Sequence, residues 1–376
     1  MKRLVINFVF GAALLLSVVP VINLLTGGLK DGDVSENRKK GILGRLYNVD
    51  SAEGLLQKSL VHFSISLNPS KALIGSGEWY FLGDGYNSTL SSHRSGATVY
   101  DELRARQVLD AYRSWDAWFR AHGVRCFRVM ICPDKPTIYP EFLPRWALKT
   151  NDHSMPMDLL LREGSPVATS PREGLLKTKK TAKEDLYYRT DTHWNSRGAW
   201  VGYKSFFDGI QGSGFSDLRT LSGDQVSFVG VGERVGDTIR TLRITDSSKE
   251  KNVGPRIKTD QPILVEQIDY DTGKVTGSGG NPEIGFSQRP LLVLSRNALN
   301  EKRVLWLRDS FGTALSPFMN ATFGQVLQSH YIFIDQKELV RLVEKFHPEY
   351  VFITVVERDI LLDWFTKSAP PNDKTP

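Results

Sequence analysis

Asp191 and His193 stand two residues apart. At that spacing a carboxylate can turn to the imidazole Nδ1–H, fix its tautomer and stabilise the imidazolium formed when the other nitrogen takes a proton. A His–Asp pair of this kind needs a nucleophile. Ser310 is the best candidate, because it follows the apolar run 304–307 and precedes Phe311-Gly312 and a helical segment. Such a strand–turn–helix context exposes a hydroxyl where backbone N–H groups can hold an oxyanion. Bland readings stand beside these. His193 can be a loop histidine with a satisfied hydrogen bond, and Ser310 an ordinary helix N-cap. Spacing alone leaves both open. Other chemistries lack their motifs: there is no Gly-x-Ser-x-Gly elbow, Gly230-Val231-Gly232 lacks a correctly placed third glycine, and no His/Cys cluster has metal spacing.

These residues need elements to hold them. Val108, Tyr112, Trp115 and Phe119 recur at helical spacing, which predicts a helix over 101–122 stopped by Gly123. Residues 124–132 are apolar on both parities, as a strand buried on both faces must be. Helix followed by buried strand is the grammar of a parallel α/β sheet. The unit recurs. Leu186-Tyr187-Tyr188 reads as a strand end leading into Asp191, followed by a helix with Trp200, Tyr203, Phe207 and Ile210 on one face. The run 304–307 reads as a strand, 337–346 as a helix and 350–356 as another buried strand. Trp79-Tyr80-Phe81-Leu82 is a short strand closed by Gly83-Asp84-Gly85. Between 212 and 300 the chain is rich in Gly, Ser and Asp, and fragments such as Ile263-Leu264-Val265 have no evident order.

A chain of 376 residues with 40% hydrophobic and 24% charged residues can bury a full core. Its net charge of +6 is modest, with no aromatic-interleaved basic stripe, so nucleic acid is not an expected partner. The short basic runs Arg38-Lys39-Lys40 and Lys177-Thr178-Lys179-Lys180 read first as solvated loop charges, with attraction to an anionic polymer or to lipid headgroups as the sharper alternative. Cys126 and Cys132 fall in one strand, too far apart to pair with each other. After Met1-Lys2-Arg3 no charge occurs until Lys30. Residues 4–25 would reach about 33 Å as a helix, enough for a bilayer core of about 30 Å. The run ends without a small-residue cleavage site. An uncleaved signal anchor over 1–28 is therefore expected, with a cleaved signal as the alternative; either way the positive start is in the cytoplasm and the rest exported.

The string Tyr187-Tyr188-Arg189-Thr190-Asp191-Thr192-His193-Trp194-Asn195 with Gly198-Ala199 resembles the signature of the alginate O-acetyltransferase family (AlgJ/AlgX-like). Glu36-Asn37-Arg38, Gly77-Glu78-Trp79-Tyr80-Phe81, Pro133-Asp134-Lys135, Tyr139-Pro140, Leu143-Pro144, Gly236-Asp237, Arg308-Asp309-Ser310-Phe311 and Val356-Glu357-Arg358 follow the family in order. The resemblance implies a three-layer α/β/α SGNH-hydrolase-like domain over 76–366 with a mostly parallel sheet. A transmembrane helix (1–28) and a stalk (29–75) would precede it, and a disordered tail (367–376) would follow. It also implies Ser310 as nucleophile, His193 as general base and Asp191 as its orienter, with the Asp-x-His pair preceding the serine. Trp194, Asn195, Arg308 and Phe311 are the candidates for substrate or oxyanion contact. Arg308 departs from the family, where glycine is commoner. The implied activity is acetyl transfer to hydroxyls of an exported polysaccharide, alginate-like or another exopolysaccharide. No cofactor or metal would be bound. The acetyl donor would come from a membrane-embedded O-acyltransferase partner, alongside other polysaccharide-export proteins, at a bacterial inner membrane. An acetylesterase with the same three residues, or a catalytically silent polysaccharide-binding subunit, are the alternatives. Sequence leaves open whether Glu357 and Arg358 touch substrate or pair with each other, pairing being favoured.

Overall fold

A computed structural model of the chain describes residues 2–25, 44, 46–150, 153–162, 166–245 and 249–371. Twelve strands occur among them. They are β1 (Ala72–Ile74), β2 (Tyr80–Leu82), β3 (Cys126–Cys132), β4 (Ala168–Thr169), β5 (Val226–Arg234), β6 (Glu250–Ile257), β7 (Leu264–Asp269), β8 (Val275–Gly279), β9 (Leu291–Arg296), β10 (Asn300–Arg308), β11 (Phe323–Ser329) and β12 (Tyr350–Val356). Five helices matter most here: α1 (Lys2–Leu25), α2 (Val99–Ala121), α3 (Ser196–Gly212), α4 (Gly312–Thr322) and α5 (Gln336–Phe346).

Eight strands form one sheet in the order β4-β3-β12-β10-β11-β9-β7-β8. From β4 to β11 all neighbours are parallel, whereas β11·β9, β9·β7 and β7·β8 are antiparallel. The sheet is thus mixed, which corrects the expectation of a mostly parallel one. Connection length is the reason. Helices α4 and α5 supply the crossovers β10-α4-β11 and β11-α5-β12 that parallel pairing needs. The segment between β9 and β10 is only residues 297–299, with Asn297 at φ +65°, so the chain must reverse. The Gly/Ser/Asp-rich stretch with no evident order supplies these reversed strands, and it also supplies the separate hairpin β5·β6.

Alternation along β10 explains the layers. Val304 and Trp306 pack with α3 and α4 through Tyr203, Phe207, Phe311 and Phe318, while Leu305 and Leu307 pack with α2 and α5 through Tyr112, Phe119, Leu339 and Leu342. Each fully buried aromatic or aliphatic side chain contributes about 1.5–3 kcal/mol. Helix α2 starts at a capping box in which Thr98 and Asp101 satisfy each other's backbone N–H groups, and it stops before Gly123 at φ +84°.

Helix α1 occupies the stretch read as an anchor, with Pro20 inside it. Among the described residues no helix is long and apolar enough to cross a membrane. Near its end, Asn23 Nδ2 donates to Leu46 O and Asn48 O, at 2.8 Å each. Residues 26–28 of the expected anchor and 29–43 and 45 of the expected stalk lie outside the described residues. Its remainder contains a helix, Asp50–Val61, and β1. The expected tail is described only to residue 371; there Lys367 O accepts from Trp115 Nε1 and Ala369 N donates to Ser114 Oγ, so its start lies against α2.

Candidate active site

Residues 186–195 form a closed loop rather than the end of a sheet strand. Tyr187 and Trp194 make an isolated antiparallel bridge, Tyr188 N donates to His193 O at 3.2 Å, and Asn195 N donates to Leu186 O at 3.0 Å. The loop is anchored from below by Lys135. Its buried ammonium donates to Tyr80 O, Tyr188 O and Arg189 O at 2.5–3.0 Å, and burial pulls its pKa down to about 8. Three carbonyls compensate a charge that would otherwise be costly to bury. From the other side Glu250 accepts from Arg189 N at 2.9 Å and Thr190 N at 3.1 Å.

His193 Nδ1 lies 2.6 Å from Asp191 Oδ1, and His193 Nε2 lies 2.7 Å from Ser310 Oγ. The structure therefore brings together three residues separated by up to 119 positions. Asp191 Oδ1 also accepts from His193 N at 3.0 Å. Its Oδ2 accepts from Arg234 Nη2 at 2.6 Å and from Asp237 N at 3.1 Å. Burial pushes the Asp191 carboxyl up, but the hydrogen bond and charge of His193 and the charge of Arg234 outweigh it, so it stays well below the usual carboxylate range. Burial pushes His193 down, yet the hydrogen bond and charge of Asp191, with the charge of Asp237, lift it above its ordinary value. Asp237 Oδ2 sits 3.6 Å from the same Nδ1, and its carboxylate accepts from Thr192 N and Thr192 Oγ1 at 2.8 and 2.5 Å. Asp191, His193 and Asp237 hold their ligand atoms within 4.8 Å, a spacing a metal could use. The Arg234 guanidinium on Asp191 already supplies the positive charge that a cation would bring.

Ser310 follows the last residue of β10 by two and precedes α4. Asp309 pins that turn: Oδ1 accepts from Phe311 N at 2.9 Å and Oδ2 from Val356 N at 2.6 Å, which ties the ends of β10 and β12 together. Trp194 Nε1 donates to Phe311 O at 2.9 Å, so the histidine loop holds the serine turn directly. The Phe311 ring packs against His193 at 5.0 Å and Trp194 at 5.3 Å.

The four residues expected to contact substrate or oxyanion have their side chains committed elsewhere. Trp194 and Phe311 are buried as just described. Asn195 is the N-cap of α3, accepting from Arg197 N and Gly198 N and donating to Asp185 O. Arg308 is 1% exposed, and its guanidinium donates to Gln328 Oε1, Ile284 O, Gly285 O and Asp309 O. It has an ordinary strand backbone, so the turn needs no glycine there. Glu357 and Arg358 do not pair with each other. Glu357 accepts from Asp134 N and Thr137 Oγ1, while Arg358 pairs with Asp134. Arg234 was not foreseen. It lies in the glycine-rich stretch without local pattern, and only the β5·β6 hairpin, where Arg234 faces Glu250, carries it to Asp191.

Residues 72–272 match the family described as SGNH hydrolase-like domain, acetyltransferase AlgX. That is more than half of the chain, and the chain belongs to this acetyltransferase family. The match includes Asp191 and His193 and ends before Ser310. Among solved structures the chain is similar to Bacillus cereus PatB1 with a sulfonyl adduct, at 16% identity and a TM-score of 0.56, covering 78% of this chain and 99% of that one. It is also similar to a DHHW family protein from Eubacterium siraeum, at 15% identity and a TM-score of 0.53, covering 72% and 90%. At these identities the likeness shows the fold. No curated protein sequence matches the chain.

Proposed function

We propose that the chain is an O-acetyltransferase that moves acetyl groups onto hydroxyls of an exported polysaccharide through an acetyl-Ser310 intermediate. The observation that carries this reading is the aligned series Asp191–His193–Ser310, with contacts of 2.6 and 2.7 Å, in a member of an acetyltransferase family. Ser310 Oγ attacks the acetyl carbonyl as its proton passes to His193 Nε2, and the donor's leaving group departs with that proton. A sugar hydroxyl then gives its proton to His193 and attacks the acetyl-serine carbonyl; the Ser310 ester bond breaks and His193 Nε2 returns the proton to Ser310 Oγ. The N–H groups of Phe311, Gly312 and Thr313 already serve Asp309 and Ser310 oxygens, so the N–H of Ser310 itself is the backbone donor left for the oxyanion. Such a donor is worth about 3 kcal/mol in the transition state.

The acetyl donor is a membrane-embedded O-acyltransferase partner, since acetyl-CoA is confined to the cytoplasm. The domain works on the exported side of an inner membrane, with other polysaccharide-export proteins as neighbours, and the charge-free N-terminal run is the segment proposed to tether it there. Supporting this is the positive start of the sequence followed by a charge-free run to Lys30. Incubation of the chain with p-nitrophenyl acetate and an oligosaccharide tests the transfer step. Mass spectrometry should find acetylated sugar that disappears in Ser310→Ala; acetate release with no acetyl-sugar would make the protein an esterase instead.

A further inference from the structure

A cleft of about 490 Å³ opens where β12 ends, at Glu357 and Arg358. Asp191, His193 and Ser310 do not line it, but it adjoins the strand end that is tied to the serine turn. Val356 N is bonded to Asp309, the residue before Ser310, and the Arg358 charge acts on His193. Its size lies in the range of about 300–1,000 Å³ usual for small-ligand sites. The helix Thr89–Ser95 and its flanks line one wall with amide and hydroxyl groups, among them Asn87, Ser88, Ser92 and Thr98. Tyr100 lines it as well and is 66% exposed, an aromatic face left open to a ligand.

The charges of the lining point one way. Three carboxyl groups, Asp101, Asp134 and Glu357, stand against one guanidinium, Arg358, and that guanidinium is already paired with Asp134. No lysine lines the cleft. Glu357 is 4% exposed; one of its oxygens accepts two hydrogen bonds and the other is buried without a partner. A polyanion entering here would meet the Asp101 carboxylate and the buried Glu357 carboxyl, whose pKa burial raises to about 7, with no unpaired cation in the lining to offset its charge. Polar hydroxyl and amide groups beside an open aromatic ring suit the edges and faces of uncharged sugar rings.

We propose that this cleft is the acceptor subsite and that it takes a neutral, polyhydroxylated glycan segment rather than a polyuronate. The assignment of the cleft as the acceptor side rests on the acyl-transfer reading above; its preference for neutral sugar does not. Calorimetry on the full chain with cellotetraose as the neutral probe and tetramannuronate as the anionic probe tests the preference without any chemistry. Cellotetraose should bind at least about tenfold more tightly, and Tyr100→Ala or the cleft-filling Ser95→Trp should weaken it about fivefold or more. Equal or tighter binding of tetramannuronate, or binding of cellotetraose unchanged in both variants, overturns the proposal. In the acetylation assay Tyr100→Ala should raise the acceptor KM. Loss of Ser310 acetylation in the unaltered chain would instead sink the acyl-transfer reading, with the calorimetric preference still deciding the cleft.

Discussion

Asp191 uses both carboxylate oxygens at once, one for His193 and the other for Arg234 and the Asp237 N–H. That double hold gives the residue-scale predictions. Asp191→Asn keeps the shape but offers the imidazole the wrong partner, so acetyl transfer should fall about 10³–10⁴-fold in single-turnover kinetics. His193 works as a base only when neutral, and its neighbours raise its pKa. The rate of Ser310 acetylation should therefore climb with pH through a midpoint above about 6.5, the ordinary imidazole value. Asp237 is one of the groups that raise it, so Asp237→Asn should move that midpoint to lower pH while most of the plateau rate survives. A midpoint unmoved or shifted upward in a pH–rate profile would remove Asp237 from the site's electrostatics. Asp191, His193 and Ser310 were legible because residue type, spacing and family resemblance agreed. Arg234 was not, since no local pattern marks a residue whose partner lies 43 positions away. Nor was the commitment of Trp194, Asn195, Arg308 and Phe311 to the scaffold, because proximity in sequence does not tell which way a side chain turns.

At the scale of elements, two tight junctions hold the Asp191–His193 loop and the Ser310 turn. The first is Gly236 beside the histidine loop, where an added Cβ would fall 1.9 Å from Thr190 O. Backbone cannot yield that far cheaply. Gly236→Ala should displace the 236–237 backbone that donates to Asp191 and lower acetylation at least about tenfold, more than its effect on acceptor KM. The second is Asp309. Asp309→Ala would leave the buried N–H groups of Phe311 and Val356 without acceptors, at about 1–3 kcal/mol each. Denaturant unfolding should show that loss; a stability within about 0.5 kcal/mol of the parent would mean the turn is held by other contacts. The strong helices and buried strands, such as α2, β3 and β12, were readable from periodicity and from apolar residues on both parities. The run 186–188 reads as a strand end in sequence but is not one, because the Tyr187–Trp194 bridge is isolated and joins no sheet.

For the whole molecule, the sequence grammar of helix then buried strand captured the parallel half of the sheet and the layers on its faces. It missed the antiparallel half because short turns and hairpins in a Gly/Ser-rich stretch carry little periodicity. The centre of the sheet is β12·β10·β11, formed late in the chain, with β3 from the first half inserted beside β12. A fragment ending at residue 272, where the family match stops, would lack those central strands and leave β3 and β4 without support. Circular dichroism should find it without cooperative unfolding; a sharp thermal transition would show that the first half folds alone. The central claim is that this fold places a nucleophilic serine just past the end of β10, hydrogen-bonded to the His193 imidazole that Asp191 orients. Its most direct test is mass spectrometry of the chain after reaction with p-nitrophenyl acetate. One acetyl group on Ser310, absent from His193→Ala and transferred on adding acceptor sugar, is the predicted result. An unmodified Ser310, or acetylation that persists equally in His193→Ala, would contradict it.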